Sequence, residues 1–197
     1  MSWDHSSNAS PHAGRVTNLV LLCNLFSPGA DPKTIFDTMR RRFKDQNCSI
    51  AQAVEVLGDW WTLLVVREAF VGTRRFADFE AKLDISKNIL SARLDHLVTN
   101  GVLARVDVGV HGTHYEYELT PMGKDLATLM TAFQQWGDRW IFGEGHEPLL
   151  ILDRRSGRRI PRVRILDSER RPLAGRDMAV VPGPGASKKT RARYGTN

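Results

Sequence analysis

Cysteine is almost absent from this chain of 197 residues, which contains only Cys23 and Cys48. Two cysteines cannot supply the ligand set of a cysteine-rich structural zinc site, so we expect no metal. The chain also lacks any run of 18 or more apolar residues, which predicts no membrane-spanning helix and no membrane partner. It has no Gly-rich phosphate loop, no HExxH and no GxSxG, and its histidines are scattered. The sequence therefore favours a protein that is not an enzyme and needs no cofactor.

Positive charge is unevenly distributed along the chain. Residues 1–152 contain 15 Lys and Arg against 18 Asp and Glu, whereas residues 153–197 contain 13 against 4. The net charge of +6 therefore comes from the C-terminal part. Because the rest is mildly acidic, the overall charge is weak evidence for nucleic-acid binding. Any such evidence has to come from the local placement of basic side chains.

The stretch from Thr73 to Thr120 has the pattern of a winged helix-turn-helix. Residues 75–83 predict a short amphipathic positioning helix, and a brief linker leads to a second helix with Ser86 at its N-cap. Two alternating segments, 102–108 and 115–119, then predict a hairpin wing. The predicted fold class is mainly α with a β-hairpin wing. The apolar residues of the second helix recur with a period of 3.6 and are Ile89, Leu90, Leu94, Leu97 and Val98.

The opposite face of the second helix is small and polar, which a helix needs if it is to approach base edges in the major groove. The wing tip is expected to contact the phosphate backbone. The candidate DNA-contacting residues are Arg74, Arg75, Ser86, Lys87, Asn88, Ser91, Ala92, Arg93, Arg105, His111, Thr113 and His114.

Two alternatives remain open for this motif. Winged-helix domains also serve as modules that bind a protein or a small ligand without contacting DNA. His111 and His114 with Glu116 could be imagined as metal ligands, but an exposed tip lacks the supporting partners that orient such ligands. Phosphate contact is the better interpretation of the two histidines.

Helices are also predicted on both sides of the motif. Ser49 and Gln52 form a predicted capping box that opens a helix over residues 50–57, and residues 61–70 predict an apolar, central helix. Thr120 is a predicted N-cap with Pro121 at the first helical position. A long stripe of large apolar residues follows, and a domain of this size has too little surface to cover it. The candidate dimer-interface residues are Ile50, Val54, Leu126, Leu129, Met130, Phe133, Trp136 and Trp140.

Several separate motifs occur in an order and spacing that resemble a known family. They are CSI at 48–50, LGDWWTLL at 57–64, LSARL at 90–94, GVL at 101–103, YEYELTPMGK at 115–124 and WG at 136–137. Together they resemble the HxlR-type family of winged helix-turn-helix transcriptional regulators, a MarR-like group, over about residues 42–141. The resemblance implies a cytoplasmic homodimer that binds double-stranded DNA, most commonly as a repressor. Two-fold symmetry would then predict a pseudo-palindromic operator.

Cys48 is the candidate residue for sensing an oxidant or a small-molecule effector. It lies just before a predicted helix, where backbone N–H groups and nearby basic residues favour the thiolate. Several regulators that this chain resembles use a cysteine at the matching position to sense oxidants or electrophiles. The alternative is a buried packing cysteine, which would be inert.

The chain is expected to divide into four parts. Residues 1–38 form an extension, either disordered or upstream of the true start, and residues 39–145 form the DNA-binding and dimerisation domain. Residues 146–182 predict a small β ribbon, with strands at 149–152, 162–166 and 178–181. Residues 183–197, rich in Pro, Gly and basic residues, are expected to be a disordered tail.

Overall fold

The computed structural model describes residues 43–109 and 114–195. The predicted extension at 1–38 and the wing-tip residues His111 and Thr113 lie outside this range. The chain separates into two units, residues 1–46 and Asn47–Asn197, and the fold described below is that of the second unit.

The second unit opens with α1, Ser49–Leu57, and α2, Trp60–Phe70. The predicted capping box at Ser49 is wrong by one residue. Cys48 occupies the N-cap with extended backbone angles, and its carbonyl accepts the N–H of Gln52 at 3.0 Å. Ser49 is already helical, so its hydroxyl cannot cap the helix. At α2 the cap is Asp59, whose carboxylate accepts the N–H of Trp61 at 3.0 Å.

The apolar helix α2 is central, as predicted. It contacts α1 and three later elements, α3 at Phe76–Leu83, α4 at Lys87–Thr99 and β2 at Tyr115–Leu119. Its Val65 and Val66 are fully buried. The core around them is built mainly from the helix-turn-helix and the wing, and includes Phe79, Leu83, Ile85, Leu90, Leu94, Leu97, Val102, Leu103 and Tyr117.

The turn between α3 and α4 has a left-handed residue at its centre. Asp84 has a φ of 49°, and the next residue, Ile85, is buried. Short polar side chains tolerate this backbone region better than most, so the chain can reverse within three residues. Ser86 then stands at the N-cap of α4 as predicted, but its side chain makes no capping hydrogen bond.

The wing consists of β1, Leu103–Asp107, and β2, antiparallel with Leu103 opposite Leu119 and Asp107 opposite Tyr115. Gly101 connects α4 to β1 with a φ of 73°. Its N–H donates to Val98 O, and the N–H of Val102 donates to Leu97 O. This pair of hydrogen bonds is a Schellman motif, in which glycine is favoured because it adopts a positive φ without strain.

The sequence predicted one continuous helix after the wing, whereas the structure has two shorter helices there. Thr120 caps α5, Pro121–Asp125, by accepting the N–H of Gly123 at 3.0 Å, as predicted. The chain kinks at Leu126 before α6, Ala127–Gly137. A Cβ at Gly123 would come within 2.2 Å of Val102 O, so α5 is held tightly against the start of the wing. A single π-helical turn, Asp138–Phe142, ends this part of the fold.

The predicted β ribbon is wrong, because residues 146–182 form no regular strand. Instead they make two tight hairpin turns, each closed by one isolated bridge, Leu152 with Arg159 and Leu166 with Pro172. Asp153 and Asp167 each accept backbone N–H groups within these turns. An isolated two-stranded pairing gains too little stability to extend further.

The predicted disorder of the C-terminal tail is also wrong within the described residues. A 3-10 turn at Gly175–Asp177 is followed by α7, Lys188–Tyr194. Ser187 caps α7 by accepting the N–H of Thr190 at 3.1 Å. The Asn47 side chain accepts the N–H of Ser187 at 2.8 Å and donates to Gly185 O at 3.2 Å. The tail is therefore anchored beside the start of α1.

Among the described residues, no single helix has the length and apolar character needed to cross a bilayer. Only α1 and α2 taken together reach that length and composition, and they are bent by 77°.

Candidate nucleic-acid interface

The N-terminal half of α4 presents a small, polar and exposed face. Leu90, Leu94 and Leu97 are fully buried and fix the rotation of the helix about its axis. A helix held in this way can bring its outer side close to base edges, because most of the side chains on that side are small or polar. The exposed residues on the outer side are Ser86, Lys87, Asn88, Ser91 and Ala92, all of which the sequence predicted.

The periodicity predicts Ile89 on the packing face of the helix, and this prediction is wrong. In the structure Ile89 lies on the outer face. Its side chain is 40% exposed, between Asn88 and the buried Leu90. The 3.6-residue count places Ile89 at the edge of the apolar stripe, where sequence alone cannot decide exposure. An exposed apolar side chain in the first turn of such a helix is suited to contact a thymine methyl group.

Arg93 was predicted to contact DNA, and the structure gives it another role. Its Nη2 lies 2.8 Å from Oδ2 of Asp59, and the Arg93 side chain is only 15% exposed. The pair joins the middle of α4 to the N-terminus of α2. Arg93 therefore forms its ion pair within the domain, and the prediction that it contacts DNA is wrong.

Arg74 and Arg75 form ion pairs with the wing. The Nη1 of Arg74 lies 2.6 Å from Glu118 Oε1, and Nε of Arg75 lies 3.1 Å from Glu116 Oε1. The carbonyl of Arg74 also accepts the N–H of Tyr117 at 2.8 Å. These contacts tie the segment before α3 to β2. Both arginines stay more than half exposed, but the carboxylates offset part of the positive charge that the sequence predicted there.

Tyr117 on β2 is buried in the core, where its ring lies edge-on to Phe79 of α3 with the ring centres 6.4 Å apart. Burial raises the pKa of Tyr117, Asp95 on α4 raises it further, and Arg105 on β1 lowers it. The guanidinium of Arg105 also lies 4.5 Å from the centre of the Tyr115 ring. Arg105 is thus exposed but held in place, as a phosphate-contacting residue should be. His114 is exposed at the end of the wing.

A buried polar network joins α2 to the first helix of the motif, α3, and sequence reasoning missed it. Thr73 Oγ1 donates to Glu68 Oε2 at 3.2 Å and accepts from Lys82 Nζ at 2.8 Å. Arg67 pairs with the other oxygen of Glu68 at 2.9 Å. The network joins the end of α2 to α3. Arg67 and Glu68 within an otherwise apolar helix were the available signal, because a buried carboxylate requires partners.

Comparison with known proteins places this arrangement in a family. A family model for HxlR-like helix-turn-helix proteins matches residues 56–144. The HTH-type transcriptional regulator Rv3095 of Mycobacterium tuberculosis is 32% identical over 151 residues, which cover 77% of this chain and 94% of that protein. The chain belongs to the HxlR-like helix-turn-helix family. It is a transcriptional regulator with a helix-turn-helix DNA-binding domain.

Other relatives agree with this assignment. The HTH-type regulator YvaP of Bacillus subtilis is 35% identical over 91 residues, 46% of this chain and 84% of that protein. The crystal structure of PA1607, a candidate transcription factor, has a TM-score of 0.67 and 37% identity, covering 72% of this chain and 99% of that one. PA1374 of Pseudomonas aeruginosa has a TM-score of 0.55 and 34% identity, with 74% and 99% covered.

The HxlR-like regulator also exposes a set of large apolar side chains on α6, on the π-helical turn after it and on α1, called here the apolar face. Phe133, Trp136 and Trp140 are each more than half exposed, and Trp140 reaches 65%. Leu129 on α6 and Ile50 and Val54 on α1 are also exposed. Two residues of the predicted interface, Leu126 and Met130, are not exposed in this way. They pack partly against the domain's own core.

Cys48 of the HxlR-like regulator is a free and exposed thiol at the N-cap of α1. The alternative of a buried packing cysteine is therefore wrong. Asn47, the neighbouring residue, holds α7 through the hydrogen bonds described above. Cys48 consequently lies beside the point where the C-terminal helix is anchored.

Proposed function

We propose that this chain is a sequence-specific repressor that acts as a homodimer on a pseudo-palindromic operator. The observation that carries the proposal is the outer face of α4, where Ser86, Lys87, Asn88 and Ser91 are exposed around Ala92. Lys87 and Asn88 have donor groups that match the acceptor-rich edges of guanine and adenine. Ala92 leaves room for the backbone of the helix to come close to the bases.

The wing supplies contacts that do not depend on sequence. Arg105 is exposed on β1, and His114 follows at the end of the wing. Contacts of this kind orient a protein on the duplex, because every base pair carries the same phosphates. Arg74 and Arg75 are expected to attract phosphate less strongly than two free arginines would, since Glu116 and Glu118 offset part of their positive charge.

The homodimer is supported by the apolar face of α1 and α6. Three large aromatic residues, Phe133, Trp136 and Trp140, are exposed there together. Large aromatic clusters of this kind are enriched at protein interfaces and are unfavourable in water. A two-fold dimer would place two copies of α4 about one turn of DNA apart, roughly 34 Å.

The oxidant response is the regulatory part of the proposal. It is supported by the exposure of the Cys48 thiol and by its place at the N-cap of α1, next to Asn47, which anchors α7. Oxidation of this thiol, or its disulfide with the partner subunit's thiol, would alter the start of a helix that carries part of the apolar face.

The decisive experiment is a mobility shift with DNA from upstream of the regulator's own gene. We expect saturable binding that survives excess nonspecific competitor, a footprint with two half-sites, and a sedimentation mass of a dimer. In a reporter strain, loss of the protein should raise expression from that promoter. Equal competition by unrelated DNA would contradict sequence-specific binding and favour a module that acts on a protein or a small ligand.

A further inference from the structure

The part of the chain that contains the two hairpin turns has a large excess of arginine. Residues 153–177, called here the arginine segment, contain nine arginines and no lysine, against four Asp and Glu. The preceding residues, 1–152, contain 15 Lys and Arg against 18 Asp and Glu. The arginine segment is therefore strongly positive, whereas the part of the chain that carries α4 has an excess of acidic groups.

The two turns of the arginine segment are closed by the same pattern of hydrogen bonds. The N–H of Asp153 donates to Arg158 O at 2.8 Å, and the Asp153 carboxylate accepts the N–H of Arg155 at 2.9 Å. In the second turn the N–H of Asp167 donates to Arg171 O at 2.9 Å, and the Asp167 carboxylate accepts the N–H of Glu169 at 2.9 Å. Two of the four acidic groups thus hold the turns closed.

The stretch between the turns is fixed to α6. Gln135 donates to Pro161 O at 3.1 Å and accepts the N–H of Val163 at 2.8 Å. Arg162 lies between these two residues, and Arg164 follows directly after them. The backbone that carries both arginines is therefore held against the folded domain.

Five arginines of the segment have no acidic partner within the chain. The other four lie within 4.0 Å of a carboxylate oxygen, as in the pairs of Arg159 with Glu147 and of Arg171 with Asp167. No Asp or Glu oxygen in the described residues lies that close to any of the five, and all five are exposed. They are Arg154, Arg158, Arg162, Arg164 and Arg170.

The backbone at Arg170 singles out one of these five. Its φ is 64°, a left-handed conformation that is unfavourable for side chains other than glycine and short polar ones. Gly157 has a φ of 66° at the corresponding position of the first turn, directly before the residue whose carbonyl closes that turn. The second turn thus has an arginine where glycine would fit without strain. Backbone strain of this kind clusters at functional sites.

We propose that these five arginines bind the phosphate backbone of duplex DNA outside the bases that α4 faces. A guanidinium group matches phosphate because its planar fork can donate two parallel hydrogen bonds. The helix-turn-helix domain has few free cations for this purpose, since Arg74, Arg75 and Arg93 form ion pairs with carboxylates. The proposal rests on DNA binding by that domain, but it does not depend on a particular operator or on repression.

The test measures binding of the full chain to a long random-sequence duplex. Fluorescence anisotropy over a series of KCl concentrations gives the slope of log affinity against log salt. Replacing all five arginines by glutamine should reduce the magnitude of this slope by about 3 or more, because each phosphate contact contributes roughly 0.9. Affinity at moderate salt should fall at least about tenfold. A chain that binds random DNA in this way but prefers no operator would contradict the proposed function and leave the present proposal intact.

Two double variants with equal changes in net charge separate contact from overall charge. Arg162→Gln with Arg164→Gln removes two arginines without a carboxylate partner in the described part of the chain. Arg159→Gln with Arg171→Gln removes two that pair with carboxylates at 2.9 and 2.8 Å. The first double should reduce the slope by about 2, and the second by less than half as much. Circular dichroism checks that both remain folded.

Arg170→Gly adds a readout that a purely structural arginine would not move. It should preserve or raise the melting temperature, because glycine adopts the left-handed conformation without strain, and should still reduce the slope by about 1. An unchanged slope in the fivefold variant or in Arg170→Gly, or equal losses in the two double variants, would overturn the proposal. Competition by poly-glutamate as strong as competition by DNA of equal charge would also overturn it and would assign the segment to an acidic protein.

Discussion

Arg93 on α4 and Asp59 at the N-cap of α2 form an ion pair of 2.8 Å in which both side chains are mostly shielded from water. Asp59 at the same time caps α2 by accepting the N–H of Trp61. The contact therefore fixes the angle between the central helix and the helix that carries the candidate reading face. An arginine that sequence alone would assign to DNA is a positioning residue within the domain.

Arg93→Ala should consequently lower stability and leave the sequence preference unchanged. We expect a loss of about 1–3 kcal/mol in the free energy of unfolding, because a shielded carboxylate loses its partner. Urea unfolding followed by circular dichroism measures this loss. Lys87→Ala is the matched control on the same helix, since Lys87 is exposed and should change stability by less than about 0.5 kcal/mol. An altered base preference in Arg93→Ala would contradict this role and would indicate that Arg93 contacts DNA bases.

The two groups of candidate DNA contacts should respond differently to substitution. Lys87→Ala and Asn88→Ala should change which operator bases are preferred, at a cost of about 1–3 kcal/mol for the preferred site. Arg105→Ala should weaken binding to all sequences alike and reduce the slope of log affinity against log salt by about 1. Fluorescence anisotropy on a set of single-base operator variants at several salt concentrations measures both effects. A uniform loss on every operator for all three variants would contradict the assigned roles.

The sequence predicted the helix-turn-helix, the wing and the outer face of α4, because these depend on local periodicity and on caps within a few residues. It did not predict the partner of Arg93, since Asp59 lies 34 positions away and an ion pair of this kind leaves no local pattern. The cap at Cys48 was missed for another reason. There the N-cap is set by backbone conformation, while Ser49 one position later carries the stronger side-chain signal.

The C-terminal part was predicted least well. Its apolar runs have strand composition, but pairing stops after one bridge in each turn, and an isolated two-stranded pairing gains little from extending further. In the same way, the composition of the tail predicted disorder, whereas Asn47 and the Ser187 cap order α7 through contacts across the chain. Amino-acid composition indicates local conformational preference, but it does not show hydrogen bonds between residues that are far apart in the sequence, such as those of Asn47 with Ser187.

The apolar face of α6 should hold the dimer together. Phe133→Ser and Trp136→Ser each remove a large aromatic side chain that is more than half exposed in the single chain. We expect each substitution to weaken self-association by about 2 kcal/mol or more, which is at least about thirtyfold in the dimer dissociation constant. Sedimentation velocity over a concentration series measures it. Val180→Ser, at an even more exposed apolar position in the C-terminal segment, should have no effect.

Operator affinity should respond to oxidants through Cys48. If the exposed thiol of Cys48 is the sensor that we propose, treatment with diamide should change operator affinity in the original chain and leave Cys48→Ser unaffected. Mobility shifts before and after diamide, and again after dithiothreitol, measure this. Non-reducing electrophoresis distinguishes an intersubunit disulfide from oxidation of a single thiol. A response that persists in Cys48→Ser would exclude Cys48 as the sensor.

The anchoring of α7 makes a prediction that involves neither DNA nor the dimer. A seven-residue helix is too short to be stable alone in water, so α7 depends on its cap and on Asn47. Asn47→Ala removes the hydrogen bonds to Gly185, Ser187 and Thr190, and should expose the amides of α7 to exchange at least about tenfold faster. Hydrogen exchange with mass spectrometry measures this, and peptides from α2 and α4 should exchange as before. Asn88→Ala, an exposed asparagine distant in sequence, is the control. Unchanged protection of α7 in Asn47→Ala would mean that Ser187 and the flanking backbone suffice to hold the helix.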